Sequence, residues 1–257
     1  MAEYVPFVRN EKRCPVSAVL HETKEGFTLT LQASVHFTDR RGEKDGMSFR
    51  QNKNRALAGF RSWSGKYLLR SGKTLCVRVI LRETKKRRGA LQVTFLDYGT
   101  LKAAEPFAGR GKTGMKLRRA LRTPGFTFAG LRAEKWRPWK GRWIGLRTDM
   151  EMFSVEELSR HEFGHILGLG DMYRDLVMGL KGISGNVAEL YADFADKGGR
   201  YRAVMDSNGP VTPLDAEMML LAQMTGRFRQ YQKQKGRGNV SAVLREAAEH
   251  EDQRIPG

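Results

Sequence analysis

The sequence is poor in cysteine, in acidic residues, in histidine and in long apolar runs. Two cysteines, Cys14 and Cys76, in 257 residues are too few for a disulfide scaffold, and their spacing alone says nothing about a pairing. No run of about 18 apolar residues occurs, which excludes a membrane-spanning helix. Residues Met1 to Phe7 lack a basic region followed by an apolar one, so no ordinary signal peptide is expected. The expectation is therefore action in the cytoplasm, export by a specialised non-Sec route, or release from a longer precursor. Acidic residues number 28 against 46 Lys and Arg, a formal net charge of +18. Such a balance points to anionic partners and says nothing about fold. Histidine occurs only 5 times, yet two of the five lie four residues apart.

Those two sit in His161-Glu162-Phe163-Gly164-His165-Ile166-Leu167-Gly168-Leu169-Gly170-Asp171, the pattern H-E-x-x-H-x-x-G-x-x-D. Residues four apart share a helix face, so His161 and His165 can point at one metal ion. Glu162 projects one residue round, placed to act on a bound water as general base and acid rather than to ligate. Catalytic zinc keeps three protein ligands and an open position for water, whose pKa it lowers to about 7. The expected cofactor is therefore one catalytic Zn2+. Ser154-Val155-Glu156-Glu157 fits a capping box with Ser154 as N-cap and Glu157 at N3. Val155, Leu158, Ile166 and Leu169 supply the apolar stripe. Gly168 suits a helix end because glycine accepts positive φ. A sharp turn there would bring Asp171 back as third ligand.

The run resembles the metzincin signature H-E-x-x-H-x-x-G-x-x-H, with Asp171 where most members have histidine; snapalysin-like metzincins are similar in using aspartate. Tyr201-Arg202-Ala203-Val204-Met205-Asp206-Ser207 resembles the family's methionine turn beneath the metal, with Met205 as its methionine. The resemblance implies a zinc-dependent endopeptidase, with His161, His165 and Asp171 on zinc and Glu162 catalytic. The family often has a tyrosine shortly after the methionine. Asp206 and Ser207 stand there instead, which leaves Tyr173 and Tyr201 as the nearest residues for an oxyanion or substrate contact. Lys12-Arg13-Cys14-Pro15-Val16 faintly resembles the cysteine switch of matrix metalloproteases, in an incomplete form.

A second ligand set stays open. Glu189 and Asp193, in Asn186-Val187-Ala188-Glu189-Leu190-Tyr191-Ala192-Asp193, resemble the gluzincin arrangement, where Glu189 would ligate and Asp193 support a histidine. Their bland alternative is a solvated helix face. Gly168 and Met205 favour Asp171.

The expected fold class is α+β and zincin-like, a twisted mixed sheet with helices and a helical C-terminal part. One peptidase domain spans 1–257: an N-terminal extension (1–25), an upper subdomain (26–170) with a basic insertion at about 100–142, and a lower subdomain (171–257). Alternation marks a strand at 27–37, with His36 on its polar face as a surface residue, and further strands at 75–81 and 91–95. Cys76 reads as core, and 84–89 as an exposed hairpin connection between the last two strands. Residues 47–61 read as a helix, 143–148 as a further strand, and 186–197, 213–232 and 239–250 as helices; the metzincin resemblance implies an edge strand that aligns an extended substrate by β-augmentation, for which 143–148 is the candidate.

Between Lys102 and Arg147 stand thirteen Lys or Arg against two acidic residues, Glu105 and Glu134, with Trp136, Trp139 and Trp143 among them. Such a segment suits single-stranded nucleic acid, an anionic membrane surface, a cell-wall polymer or an acidic protein, or else simply solvates the chain. The leading expectation is an endopeptidase acting on protein or peptide, of a size and basicity that also suit a bacterial toxin or effector. The competing ones are a zinc amidase of cell-wall peptides and a nucleic-acid-binding protein with a non-catalytic zinc site. Oligomeric state is not readable.

Overall fold

The computed structural model describes residues 7–9, 15–24, 26–42, 46–69, 71–97, 125–127, 141–149, 153–170, 204–207 and 209–227. Eight strands form one mixed sheet: β1 (Phe7–Arg9), β2 (Val16–Thr23), β3 (Gly26–Asp39), β4 (Gly65–Leu68), β5 (Thr74–Glu83), β6 (Leu91–Leu96), β7 (Gly125–Thr127) and β8 (Trp143–Arg147). Four helices are described: α1 (Phe49–Arg61), α2 (Val155–Ile166), the single turn α3 (Val204–Ser207) and α4 (Pro213–Thr225). The class is α+β, as the patterning predicts.

The fourteen-residue β3 organises the sheet. β2 pairs with it antiparallel and β5 parallel, so most of its length is flanked on both edges. Val35 is partnered on both sides at once, by Glu83 of β5 and Leu91 of β6. The chain therefore leaves β5 on one edge of β3, crosses, and resumes as β6 on the other edge, still parallel. Residues 84–89 are thus a crossover and not the expected hairpin. Alternation in sequence reveals a strand's faces and not its neighbours, and β3 is long enough to take β2 and then β6 along one edge while β5 occupies the other. His36 holds the crossing: its Nδ1–H donates to the Thr84 carbonyl at 3.1 Å, and its Nε2 accepts from Arg87 Nε at 3.4 Å.

β8 follows β6 in parallel, and β7 lies outside β8, antiparallel. The edge expected at 143–148 is consequently covered along Ile144–Leu146, and β7 is the outer strand. Nothing in the three residues Gly125-Phe126-Thr127 carries a period long enough to announce a strand.

One face of the sheet is the core. Phe27, Leu29, Leu31, Ala33, Val35 and Phe37 of β3 are buried with Leu75 and Val77 of β5 and Ile144 and Leu146 of β8. Each Val, Leu, Ile or Phe among them contributes roughly 1.5–3 kcal/mol of transfer free energy. Cys76 alternates with Leu75 and Val77, so it lies half-buried on the opposite face, not in the core; it is a free thiol.

Helices α1 and α2 lie together, with the Phe60 and Phe163 rings 4.9 Å apart. Gly59 permits the closeness: a Cβ there would overlap Ser159 Oγ and the Glu156 carbonyl. α1 begins at Phe49 rather than 47 because Ser48 and Gln51 form its capping box. α4 begins at Pro213 behind a Thr212–Asp215 capping box and stops at Thr225, short of the expected 232. Gly226, at φ +66°, is its left-handed terminator. Ten of its thirteen residues are buried. The helices expected at 186–197 and 239–250 lie outside the described residues.

Candidate metal centre

The site is built on α2. Ser154 Oγ accepts the Glu157 backbone N–H, and the Glu157 carboxylate accepts the Ser154 N–H at 2.8 Å, so both halves of the capping box form. Such a cap is worth about 1 kcal/mol and fixes where the helix starts, hence which face His161, Glu162 and His165 occupy. The other end is a Schellman closure. The Gly168 N–H reaches the His165 carbonyl and the Leu169 N–H the Gly164 carbonyl, with Gly168 at φ +103°. Gln223 of α4 caps the same turn from below, its Nε2 donating to the Leu167 carbonyl at 2.8 Å.

His161, Glu162 and His165 each bring a ligand atom within 4.8 Å of the others. The imidazoles stand edge to face, centroids 4.9 Å apart. His161 and Glu162 are buried, at 7% and 4% exposure. Both rings are held at Nδ1 by a backbone carbonyl at 2.8 Å: His161 by Val204, His165 by Leu169. A carbonyl oxygen only accepts, so Nδ1 carries the hydrogen and the neutral ring offers its lone pair at Nε2. Outer partners of this kind fix ring tautomer and orientation at metal sites. Two imidazoles beside a carboxylate form a group that could hold a metal ion.

Met205 lies fully buried against this helix. A Cβ on Gly164 would overlap the Met205 sulfur and approach the Trp63 ring at 3.0 Å. Gly164, an unremarked spacer in the motif, is therefore the seat of the methionine. A glycine inside a helix costs about 1 kcal/mol against alanine, and that cost was the available signal of a close approach.

Arg160 is a second residue that the motif does not reveal. Its Nε donates to Ser62 Oγ at 2.8 Å, one terminal nitrogen to the Gly209 carbonyl at 2.9 Å, and the other to Glu156 at 3.3 Å. Its own carbonyl accepts Trp63 Nε1–H at 2.9 Å. One side chain thus joins the end of α1, the middle of α2 and the chain just beyond α3. Val204, Leu169 and Gln223 complete the support, two of them through backbone carbonyls that no side-chain pattern reports.

Asp171, Tyr173, Glu189, Asp193 and Tyr201 lie outside the described residues, as does Cys14. Comparison with protein-family models, with curated proteins and with solved structures finds no match for this chain.

Proposed function

We propose that the protein is a zinc-dependent endopeptidase of the metzincin type. The observation that carries this reading is the commitment of both Nδ1 atoms to backbone carbonyls, which leaves two Nε2 lone pairs beside the buried Glu162 carboxylate. A zinc ion there would supply Lewis acidity and acidify a water. The chain's own residues do the rest. His161 and His165 bind through Nε2, with Asp171 as the proposed third ligand. Glu162 takes the proton of the attacking water onto its carboxylate and returns it to the leaving amine. Met205 packed against Gly164 supports the reading, because the family resemblance implies a methionine turn beneath the metal. The antiparallel edge strand for an extended substrate would be β7.

The test pairs metal analysis with Glu162→Ala. The variant is expected to retain one zinc per chain and to lose peptide hydrolysis by about 10²-fold or more, the usual worth of a positioned general base. Hydrolysis at the wild-type rate would sink the mechanism. For the third ligand, Asp171→Ala is expected to weaken zinc binding; if Glu189→Ala does so instead, the gluzincin ligand set is correct.

A further inference from the structure

The face of the sheet turned away from α1 and α2 differs sharply from one end to the other. Toward β6 it is closed: Thr94 and Leu96 are buried, and Trp143 Nε1 donates to Thr94 Oγ1 at 2.7 Å. Toward β4 and β5 it is open and cationic. Residues directly paired in a sheet share a face, and alternate residues of a strand repeat it. Lys66 pairs with Cys76 and Leu68 with Thr74, so Lys66, Leu68, Arg78, Ile80 and Arg82 all project from this one face. All five are exposed.

The crossover continues the charge. Lys85, Lys86, Arg87 and Arg88 are exposed, and Arg87 is tied back to His36. The ion pairs Arg41–Asp39, Lys53–Glu83, Arg147–Asp149 and Arg160–Glu156 involve no cation of this face. The described outward positions of β2, β3, β4 and β5 carry no carboxylate. Glu83, next in sequence to Arg82, belongs to the inner parity and pairs with Lys53 of α1 at 2.6 Å.

Leu68 and Ile80 decide the kind of anion. They are the exposed large hydrophobic side chains of the described residues, at 67% and 43%, and both lie on this face. Ile80 stands between Arg78 and Arg82, and Leu68 two residues from Lys66. They are separated by roughly 20 Å along the strands, from six residues at about 3.3 Å each. A phosphate backbone has no use for aliphatic side chains, and stacking onto bases needs aromatics; the described outward positions of β4 and β5 have no Phe, Tyr or Trp, and Trp143 stands at the closed end, bound to Thr94. A bilayer takes both: anionic headgroups meet the cations, and the aliphatic tips enter the headgroup–acyl boundary.

We propose that the β4–β5 face and the crossover loop form a docking surface for an anionic lipid bilayer. Each cation near such a surface contributes about 1 kcal/mol, or about fivefold in partition. The test is sedimentation of the full-length chain with phosphatidylcholine vesicles, with and without phosphatidylserine, beside titration of a DNA duplex. Two variants are compared with wild type: Arg78→Gln/Arg82→Gln/Lys85→Gln/Lys86→Gln, and Leu68→Ser/Ile80→Ser. All six positions are exposed or outward-facing, and circular dichroism and thermal midpoint check that both variants fold.

Wild type is expected to sediment with the anionic vesicles alone. The charge variant is expected to lose at least about tenfold in partition. The aliphatic variant is expected to lose severalfold on vesicles while binding duplex unchanged. Three results would overturn the proposal. Wild type could fail to bind anionic vesicles. The charge variant could bind them like wild type, which would assign binding to another part of this basic chain. The charge variant could lose vesicles and duplex alike with the aliphatic variant unchanged, which would make the surface a nucleic-acid site.

Discussion

The two histidines of the site are oriented by different kinds of structure. His165 donates to Leu169, four residues on, inside the turn that ends its own helix. His161 donates to Val204, 43 residues on, in a segment that must dock against α2 before the bond exists. One imidazole is set by local chain geometry and the other by tertiary assembly. The difference teaches that a metal site on a single helix is only half encoded by that helix. The helix brings two imidazoles together, and the distant turn gives the first of them its tautomer and angle.

The largest expected effect breaks the local side. Gly168 sits at φ +103°, where a β-branched residue is strained by about 1–3 kcal/mol. Gly168→Val is expected to lose that much stability, seen as a lowered midpoint in denaturant. The relaxed turn would also move the Leu169 carbonyl away from His165. Losing such an outer partner weakens metal binding by about 10- to 100-fold. Competition for zinc with a chromophoric chelator measures it. Wild-type affinity in a folded Gly168→Val protein would show that His165 needs no such support.

The next effect breaks the tertiary side. Gly164→Ala puts a methyl group into the Met205 sulfur and against Trp63. Overpacking of this kind costs about 1–3 kcal/mol, at the low end where a flexible methionine can yield. Arg160→Met removes the bond to Gly209 and leaves the aliphatic stem in place. Both changes act on the chain from 204 to 209, and so on Val204 and His161. In a double-mutant cycle on zinc affinity their effects should be non-additive by about 0.5 kcal/mol or more, the size seen for coupled neighbours. Gly164→Ala combined with Gly168→Val should come closer to additive. Equal coupling in both cycles would mean that the two histidines are held as one unit.

The same division separates what the sequence discloses from what it conceals. The Ser154–Glu157 capping box, Gly168 and the Pro213 start are local chemistry, and each stands where the pattern puts it. The strands of β3, β5 and β6 follow from alternation, and β8 falls where a further strand is expected at 143–148. Their pairing does not, because side-chain period is blind to which edge a neighbour takes: hence the crossover at 84–89 and the covering of β8 by β7. Cys76, in a strand whose period is clear, stands one position of parity away from the core face. At the site, the three motif side chains announce themselves, while Val204 and Leu169 act through carbonyls that every residue possesses. Gly164 and Arg160 work through what they touch across tens of residues of chain.

The smallest effect probes where the sheet meets the lower helix. Tyr67 of β4 donates to the Trp63 carbonyl at 3.1 Å, close to Asp215 in the α4 capping box. Burial first, and then the Asp215 carboxylate, push its phenol up to about 12 from an ordinary 10. A raised folded value means that the native state keeps the proton after the unfolded chain has released it. The stabilisation is therefore complete below pH 10 and is lost as pH rises from 10 toward 12. Tyr67→Phe removes this dependence, so its thermal midpoint should fall less than that of wild type across the same interval. At neutral pH the substitution costs the hydrogen bond, about 1 kcal/mol. Zinc affinity should stay unchanged, because neither Val204 nor Leu169 is touched. A fall in zinc affinity at neutral pH would place the β4–α4 contact on the tertiary side of the comparison, with α4 passing its position to the site through Gln223 and the turn it caps.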